Sequence, residues 1–146
     1  MNTAKAILEV NLKLLEKQLS WLEHSFQVAK NISIKDNYNA QELDAFEALS
    51  ARFSRMIDFL VRRIFRTLDE FEFEPQGTLI DVVNNAHKRG LFNSVDEIRQ
   101  LKDLRNQISH KYIETELIAL FDTLLEQTPR LIHITNNTLD YSKKLQ

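Results

Sequence analysis

Glycine and proline are scarce in this chain of 146 residues, which contains two of each. Because these residues mark most turns and interrupt regular structure, their scarcity favours a few long helices joined by few connections. An all-β domain would need many more turns. The hydrophobic content of 43% is enough for a packed core, and the length is that of one ordinary domain. The sequence therefore predicts a single all-α domain spanning residues 1–146.

The composition also excludes several kinds of protein. The absence of cysteine excludes disulfides, thiolate catalysis and cysteine-ligated zinc. Glu9 interrupts the only apolar run near the start, so no secretory signal is predicted, and no stretch of about 18 apolar residues could span a membrane. These features predict a cytoplasmic protein that does not associate with membranes. The formal net charge of −2 gives no sign of a dedicated nucleic-acid binder, so any RNA contact must be local.

Apolar spacings of three and four residues predict two long helices in the first half of the chain. The first should run from about Thr3 to Lys30, with a core stripe from Leu8 to Ala29. A second apolar series recurs every seven residues on the same helix: Ile7, Leu14, Trp21 and Val28. This series should widen the buried face, so we expect the helix to pack against more than one neighbour.

A polar stretch, residues 31–40, is rich in Asn and Asp and predicts a loop. The second helix should then run from about Gln41 to Glu70. At 1.5 Å per residue it would be roughly 45 Å long, more than a compact domain of this size needs. A bend or an overhang is therefore expected.

Capping signals predict two shorter helices in the middle of the chain. Thr78 can cap a helix that Gly90 ends in the C′ position. Ser94 and Glu97 form a capping box for the next helix, with Phe92 and Ile98 as a hydrophobic staple.

The last segment, Glu114 to Leu145, is apolar at helical spacing but contains Pro129. We expect either a kink there or a new helix with Thr128 as its cap. The whole pattern predicts an antiparallel bundle of four or five helices.

The segment with chemical content is LRNQISHKY, Leu104–Tyr112. On a helix, Arg105 and Tyr112 are nearly aligned, whereas His110 lies about 140° around the axis from Arg105. One helix does not present Arg105 and His110 to the same small ligand unless it ends or bends there. A second subunit related by two-fold symmetry would place two arginines and two histidines around one cleft.

These residue types suit metal-independent cleavage of RNA. That reaction needs a base for the 2′-hydroxyl, an acid for the leaving 5′-oxygen and positive charge for the phosphorane between them. His110 can transfer either proton near neutrality. Arg105 offers a permanently charged fork of donors that matches phosphate oxygens. Asn106 can orient the imidazole or bond the phosphate, and Tyr112 can bond a phosphate or stack on a base.

The second predicted helix carries a basic run: Arg52, Arg55, Arg62, Arg63 and Arg66. Of these, Arg55, Arg62 and Arg66 are candidate RNA contacts. The alternative is a solvated face, or salt bridges to the acidic residues that follow: Asp69, Glu70, Glu72 and Glu74. The isolated histidines His24, His87 and His133 are expected to be structural or exposed. Nothing visible in the sequence requires a metal or a cofactor.

LRNQISHKY resembles the R-x-x-x-x-H-x-Y motif of HEPN-domain proteins, specifically the HepT toxins of nucleotidyltransferase-linked toxin–antitoxin pairs. The upstream stretch GTLIDVVNNAHKRGLFNSVDEIRQLKDLRN is similar to the helix, glycine turn and helix that precede the motif in that family. Pro129 in a hydrophobic final helix is also similar. The resemblance covers roughly Gly77 to Leu145, and the two long helices agree with it in general form.

The resemblance implies an endoribonuclease whose active cleft forms between the subunits of a homodimer. Arg105 and His110 would be the catalytic pair, with Asn106 and Tyr112 in support. The family's partner is a small nucleotidyltransferase antitoxin that can inactivate the toxin by attaching AMP to the motif tyrosine, here Tyr112. Two alternatives remain open: a non-catalytic subunit that binds a nucleotidyltransferase, and a helical scaffold dimer with neither role.

Overall fold

The computed structural model describes residues 3–111 and 114–145, and its regular structure there is helical. The α-helices are α1 Thr3–Ala29, α2 Ala40–Phe59, α3 Phe65–Phe71, α4 Leu79–Lys88, α5 Val95–Ser109, α6 Glu114–Ile118 and α7 Phe121–Lys144. The all-α prediction is confirmed. Within the described ranges, no helix is both long and apolar enough to cross a membrane.

Side-chain caps explain where two of the helices begin. The Asn39 side chain accepts a hydrogen bond from the Glu42 N–H (2.8 Å), and the Glu42 carboxylate accepts one from the Asn39 N–H (3.0 Å). Thr78 and Asp81 form the same reciprocal pair at the start of α4. These bonds satisfy N–H groups that the first turn of a helix leaves without partners. The predicted cap at Thr78 is confirmed.

The turn between α4 and α5 follows the sequence signals with one difference. Gly90 follows the C-cap residue of α4 with a φ of +80°, the left-handed conformation that favours glycine. Ser94 caps α5 by accepting from the Glu97 N–H at 3.3 Å. Glu97 does not return a bond to Ser94, so the predicted capping box is only half formed.

The second predicted helix contains a π-helical turn, Leu60–Ile64, which joins α2 to α3 without a break. Within it the Phe65 N–H donates to the Leu60 carbonyl, five residues back instead of four. Such turns insert one residue into an α-helix and are frequent at functional sites. The bend or overhang expected from the length of this helix is a different property and stays a prediction.

The new helix predicted at Pro129 is wrong, because α7 runs through Pro129 from Phe121 to Lys144. Thr128 is buried, and its hydroxyl donates to the Leu124 carbonyl at 2.6 Å, so it does not act as a cap. The interruption lies earlier, between α6 and α7. The side chains of Phe121 and Leu124 are buried in the core and fix where α7 begins.

The buried apolar side chains form one cluster to which every long helix contributes. α1 packs against α2, α3 and α7, which confirms that it has several neighbours. These neighbours cover the stripe from Leu8 to Ala29 only. The second apolar series of α1 was expected to be buried but is 39–49% exposed, which corrects that prediction: Ile7, Leu14, Trp21 and Val28.

Candidate active site

Arg105 lies near the end of α5, on the side that meets α2. Its guanidinium forms a two-pronged ion pair with Asp58: Nε lies 3.0 Å from both carboxylate oxygens, and Nη2 lies 2.8 Å from Oδ2. The hydrogen bond to Asp58 raises the pKa of Arg105, and this effect outweighs the opposing desolvation. Arg105 is therefore a fixed cation whose plane is set by α2.

Ser109 holds the other terminal nitrogen of the guanidinium. Arg105 Nη1 donates to the Ser109 hydroxyl, which in turn donates to the Arg105 carbonyl (3.2 Å). An arginine has five N–H donors, one on Nε and two on each terminal nitrogen. The contacts with Asp58 and Ser109 use one donor on each of the three nitrogens, so Nη1 and Nη2 each keep one free N–H. The side chains of Arg105 and Asp58 are 31% and 35% exposed. The arginine can still receive an anion.

A small cavity of about 80 Å³ adjoins this ion pair, between α2 and α5. Its polar lining consists of Asp58, Arg62, Lys102, Arg105 and Asn106. Asp58 compensates Arg105, whereas Arg62 and Lys102 form no ion pair with the residues that the structure describes. The cavity therefore carries a local positive charge although the chain as a whole is slightly acidic. Such a charge suits a phosphate group.

His110 lies directly after α5, where it is the C-cap residue with φ −97° and ψ 4°. Its backbone N–H bonds to the Asn106 and Gln107 carbonyls, both at 3.2 Å. Its side chain is exposed and makes no hydrogen bond to any residue in the ranges 3–111 and 114–145. Among the described residues of one chain, no hydrogen bond joins the ring to the Arg105 guanidinium. The two members of the predicted catalytic pair are thus close in sequence but are not joined.

The structure describes one of the two predicted supporting residues, Asn106, but not the other, Tyr112. Asn106 is exposed and lines the cavity beside Arg105, as a phosphate-binding or orienting role would require. Tyr112 lies outside the described residues, so its predicted roles remain predictions.

Only one of the three arginines predicted to contact RNA lines the cavity. Arg62 is exposed and lies there with Lys102. Arg66 is directed elsewhere, because its Nη1 donates to the Gly77 carbonyl at 3.2 Å. Arg55 is exposed on α2, one turn before Asp58.

The alternative interpretation of the basic run was a set of salt bridges to the carboxylates that follow it. The ion pairs of the described residues include none of these, so that interpretation is wrong. Asp69 and Glu72 pair with Arg89 instead. Arg52 donates to the Trp21 carbonyl (3.2 Å) and the Ser25 hydroxyl (2.7 Å).

The other histidines agree with the structural or exposed interpretation. His24, His87 and His133 are all exposed. The His87 ring hydrogen-bonds with the Asn93 carbonyl at 3.1 Å and stacks on Phe92.

Sequence reasoning missed Asp58 and Lys102 as members of the site. Asp58 stands out as the only carboxylate within the basic run, but Arg55 and Arg62, three and four residues away, are possible partners on the same helix, so the sequence did not point to Arg105. Lys102 had no signal, because a lysine three residues before an arginine on a helix is common.

Comparisons of the chain with protein-family models, curated proteins and solved structures find no match. The residues of the motif and the geometry of the cavity are therefore the features that indicate a function.

Proposed function

We propose that this chain is a cytoplasmic ribonuclease toxin that acts as a homodimer and is paired with a nucleotidyltransferase antitoxin. The observation that supports it most is the Arg105 guanidinium, fixed by Asp58 with two N–H groups left over, beside Arg62 and Lys102, which form no ion pair with the described residues. Two residues that line this cavity, Arg105 and Asn106, belong to the segment that resembles the HepT motif. A fixed cation at the position of a developing phosphoryl charge is a large source of catalysis.

The proposed reaction is cleavage of RNA by its own 2′-hydroxyl. One His110 removes the proton from the 2′-oxygen, which then forms a bond to the phosphorus. The bond from phosphorus to the 5′-oxygen breaks, and a second His110 supplies the proton for that oxygen. The products are a 2′,3′-cyclic phosphate and a free 5′-hydroxyl. Arg105 stabilises the charge on the phosphoryl oxygens during this exchange.

The dimer is proposed because one chain does not join His110 to Arg105. The exposed imidazole at the end of α5 has no described partner, and the cavity of Arg105 is open to solvent. A two-fold axis near the end of α5 would supply a second imidazole and a second guanidinium to one cleft.

Incubation of the purified protein with single-stranded RNA in the presence of a chelator tests the nuclease. We expect the products named above, with rates reduced by about 10² to 10⁴ in His110→Ala and by about 10² to 10³ in Arg105→Ala. His133→Ala is the matched control, because that histidine is exposed on α7, and its rate should be unchanged. Absence of cleavage by the unaltered chain, or full activity in both test variants, would overturn the proposal.

The antitoxin is expected to transfer AMP to the Tyr112 hydroxyl, whose oxygen attacks the α-phosphorus of ATP and releases pyrophosphate. A mass increase of one adenylyl group on the Tyr112 peptide, after exposure to such an enzyme and ATP, tests this step. Tyr112→Phe should show no increase. Modification of the Tyr112→Phe chain would assign the transfer to another residue.

A second candidate, a non-catalytic subunit that binds a nucleotidyltransferase, is favoured by one observation. The Asp58 carboxylate already neutralises Arg105 and uses two of its N–H groups, as in pairs that only stabilise a fold. This candidate predicts a tight complex with the partner, no RNA cleavage and no growth arrest when the chain is expressed alone.

A further inference from the structure

An apolar groove lies between α4 and α5, next to the cavity of Arg105. Its walls are aliphatic: Leu79, Ile80, Val83, Val95 and Ile98. The volume is about 440 Å³, within the range of small-molecule sites in proteins. Ile80 is 72% exposed and Val95 37% exposed, so the groove leaves a substantial apolar surface in contact with water. A concave aliphatic surface with a few polar groups beside it is a common form of ligand site.

The groove and the Arg105 cavity lie side by side, because Leu79, Lys102 and Asn106 line both, and together they form a divided depression. One half is aliphatic and the other half is cationic. Arg99 on the rim of the groove is already paired with Asp96. Asp103 also lines the groove, and like Lys102 and Arg62 it forms no ion pair with the described residues. It offsets one of these two cations, so one net positive charge remains where the groove meets the cavity.

A ligand that matches this surface has a flat, largely apolar group joined by a short link to an anion. A nucleotide has this chemistry, since its base can lie on aliphatic side chains while its phosphate meets the cations. The Asn106 side chain at the junction carries both a donor and an acceptor, which can bond the edge of a base or a ribose hydroxyl.

We infer that this depression binds one nucleotide unit of single-stranded RNA, with the base in the groove between α4 and α5 and the phosphate on Lys102 and Arg62. The inference rests on the proposed function, because this phosphate, in the cavity that Arg105 also lines, would be the one that is cleaved. It also names residues outside the motif that would set where along the RNA the cut falls.

Binding of a short, labelled single-stranded RNA tests the inference, measured by fluorescence anisotropy in the uncleaving His110→Ala background. A second oligonucleotide of the same length and charge, with its bases removed, separates base from phosphate contacts. Ile80→Ala should weaken binding of the intact RNA about five-fold and leave binding of the abasic strand unchanged. Ile80 is largely exposed, so its substitution should not disturb the fold.

Lys102→Ala should weaken binding of both oligonucleotides by the same factor, about five-fold. It should also reduce the slope of log Kd against log salt by about 0.7, the value for one lost contact to a single-stranded phosphate. The matched controls are Ile34→Ala, 50% exposed in the connection before α2, and Lys13→Ala on the outer face of α1. Both should bind like the parent chain.

The nucleotide site is overturned if Ile80→Ala affects both strands equally or neither, or if neither strand binds. It is also overturned if Ile80→Glu converts a dimer to a monomer without changing RNA affinity, because a second copy would then occupy the groove. Cleavage by the unaltered chain is measured separately. If the unaltered chain does not cleave RNA but the variants show the expected binding pattern, the nuclease alone is overturned. If the unaltered chain cleaves RNA but the variants do not show that pattern, the nucleotide site alone is overturned.

Discussion

Arg89 and Arg105 bind carboxylates through the same chemistry but in opposite surroundings. The Arg89 side chain is 7% exposed, and it pairs with Asp69 at 2.7 Å and Glu72 at 2.6 Å. Burial lowers the pKa of Arg89, but the hydrogen bonds and the charge attraction of Asp69 and Glu72 together raise that pKa by more. Arg105 is 31% exposed, has one carboxylate partner and faces a cavity with further cations. The first arrangement uses the charge to join helices, and the second leaves it available to a ligand.

The largest effect is expected from Arg89→Ala. This change would leave the Asp69 carboxylate, which is 1% exposed, without its cation, and removing one partner of a buried pair costs about 3–5 kcal/mol. The free energy of unfolding, measured in urea, should fall by that amount. Arg99→Ala, at an exposed pair within one helix turn, should change it by less than about 0.5 kcal/mol. Equal losses of unfolding free energy in Arg89→Ala and Arg99→Ala would contradict the structural role assigned to Arg89.

Tyr141→Phe should have an intermediate effect. The Tyr141 hydroxyl donates to both Glu72 oxygens, at 2.9 and 2.8 Å, and a hydrogen bond to a charged group contributes about 1–2 kcal/mol. RNA cleavage, measured well below the unfolding temperature, should be unchanged, because this network lies outside the candidate site. A loss of cleavage with unchanged stability would contradict the purely structural role.

The same variant gives a pH test. Burial, with help from Glu72, raises the pKa of Tyr141 above its ordinary value near 10. The folded state therefore favours the neutral phenol. Its contribution to stability is fully present below about pH 10 and is lost as pH rises through the folded pKa. Unfolding measured at increasing alkaline pH should show the difference between the parent chain and Tyr141→Phe shrinking. A stability difference that does not change with pH would contradict the raised pKa of Tyr141.

Asp58→Asn should lower stability less than Arg89→Ala and Tyr141→Phe do, and it should strengthen RNA binding. A partly exposed ion pair contributes about 1 kcal/mol or less, so the free energy of unfolding should change little. The Arg105 guanidinium loses its compensating charge, and RNA affinity in the His110→Ala background should rise about three-fold. Asp122→Asn, exposed on α7, is the matched control. A stability loss above about 3 kcal/mol would place Arg105 with Arg89 as a structural residue.

Local signals predicted most of the helices, because a cap, a glycine turn and a period of 3.6 residues each act over a few positions. Thr78 and Gly90 are examples. Pro129 misled the prediction because a proline within a helix is tolerated when the surrounding side chains are as well buried as Thr128 and Leu131. The spacing of Ile7, Leu14, Trp21 and Val28 identified one face of α1, but spacing does not say whether a neighbour covers that face.

The candidate site was predictable only in part. Arg105 and Asn106 stand out in the sequence and do line one cavity. The Asp58 partner is 47 positions away and belongs to another helix, so only the packing of α2 on α5 brings it there. Lys102 and the groove between α4 and α5 were not predictable for the same reason, because they become a site only through the packing of one helix against another.

The π-helical turn governs the direction in which the two halves of the second long helix point. In an uninterrupted α-helix, residues eleven positions apart, such as Asp58 and Asp69, return to within about 20° of each other. The one inserted residue at Leu60–Ile64 rotates the later half by up to about 100° relative to the earlier half. Asp58 therefore reaches α5 while Asp69 reaches the end of α4. Deleting one residue here would restore a regular α-helix, and the two carboxylates, then ten positions apart, would still lie about 80° from each other. The π-helical turn thus makes eleven positions turn through the angle of ten, and the directions of Asp58 and Asp69 depend on the turn itself and not on their spacing in the sequence.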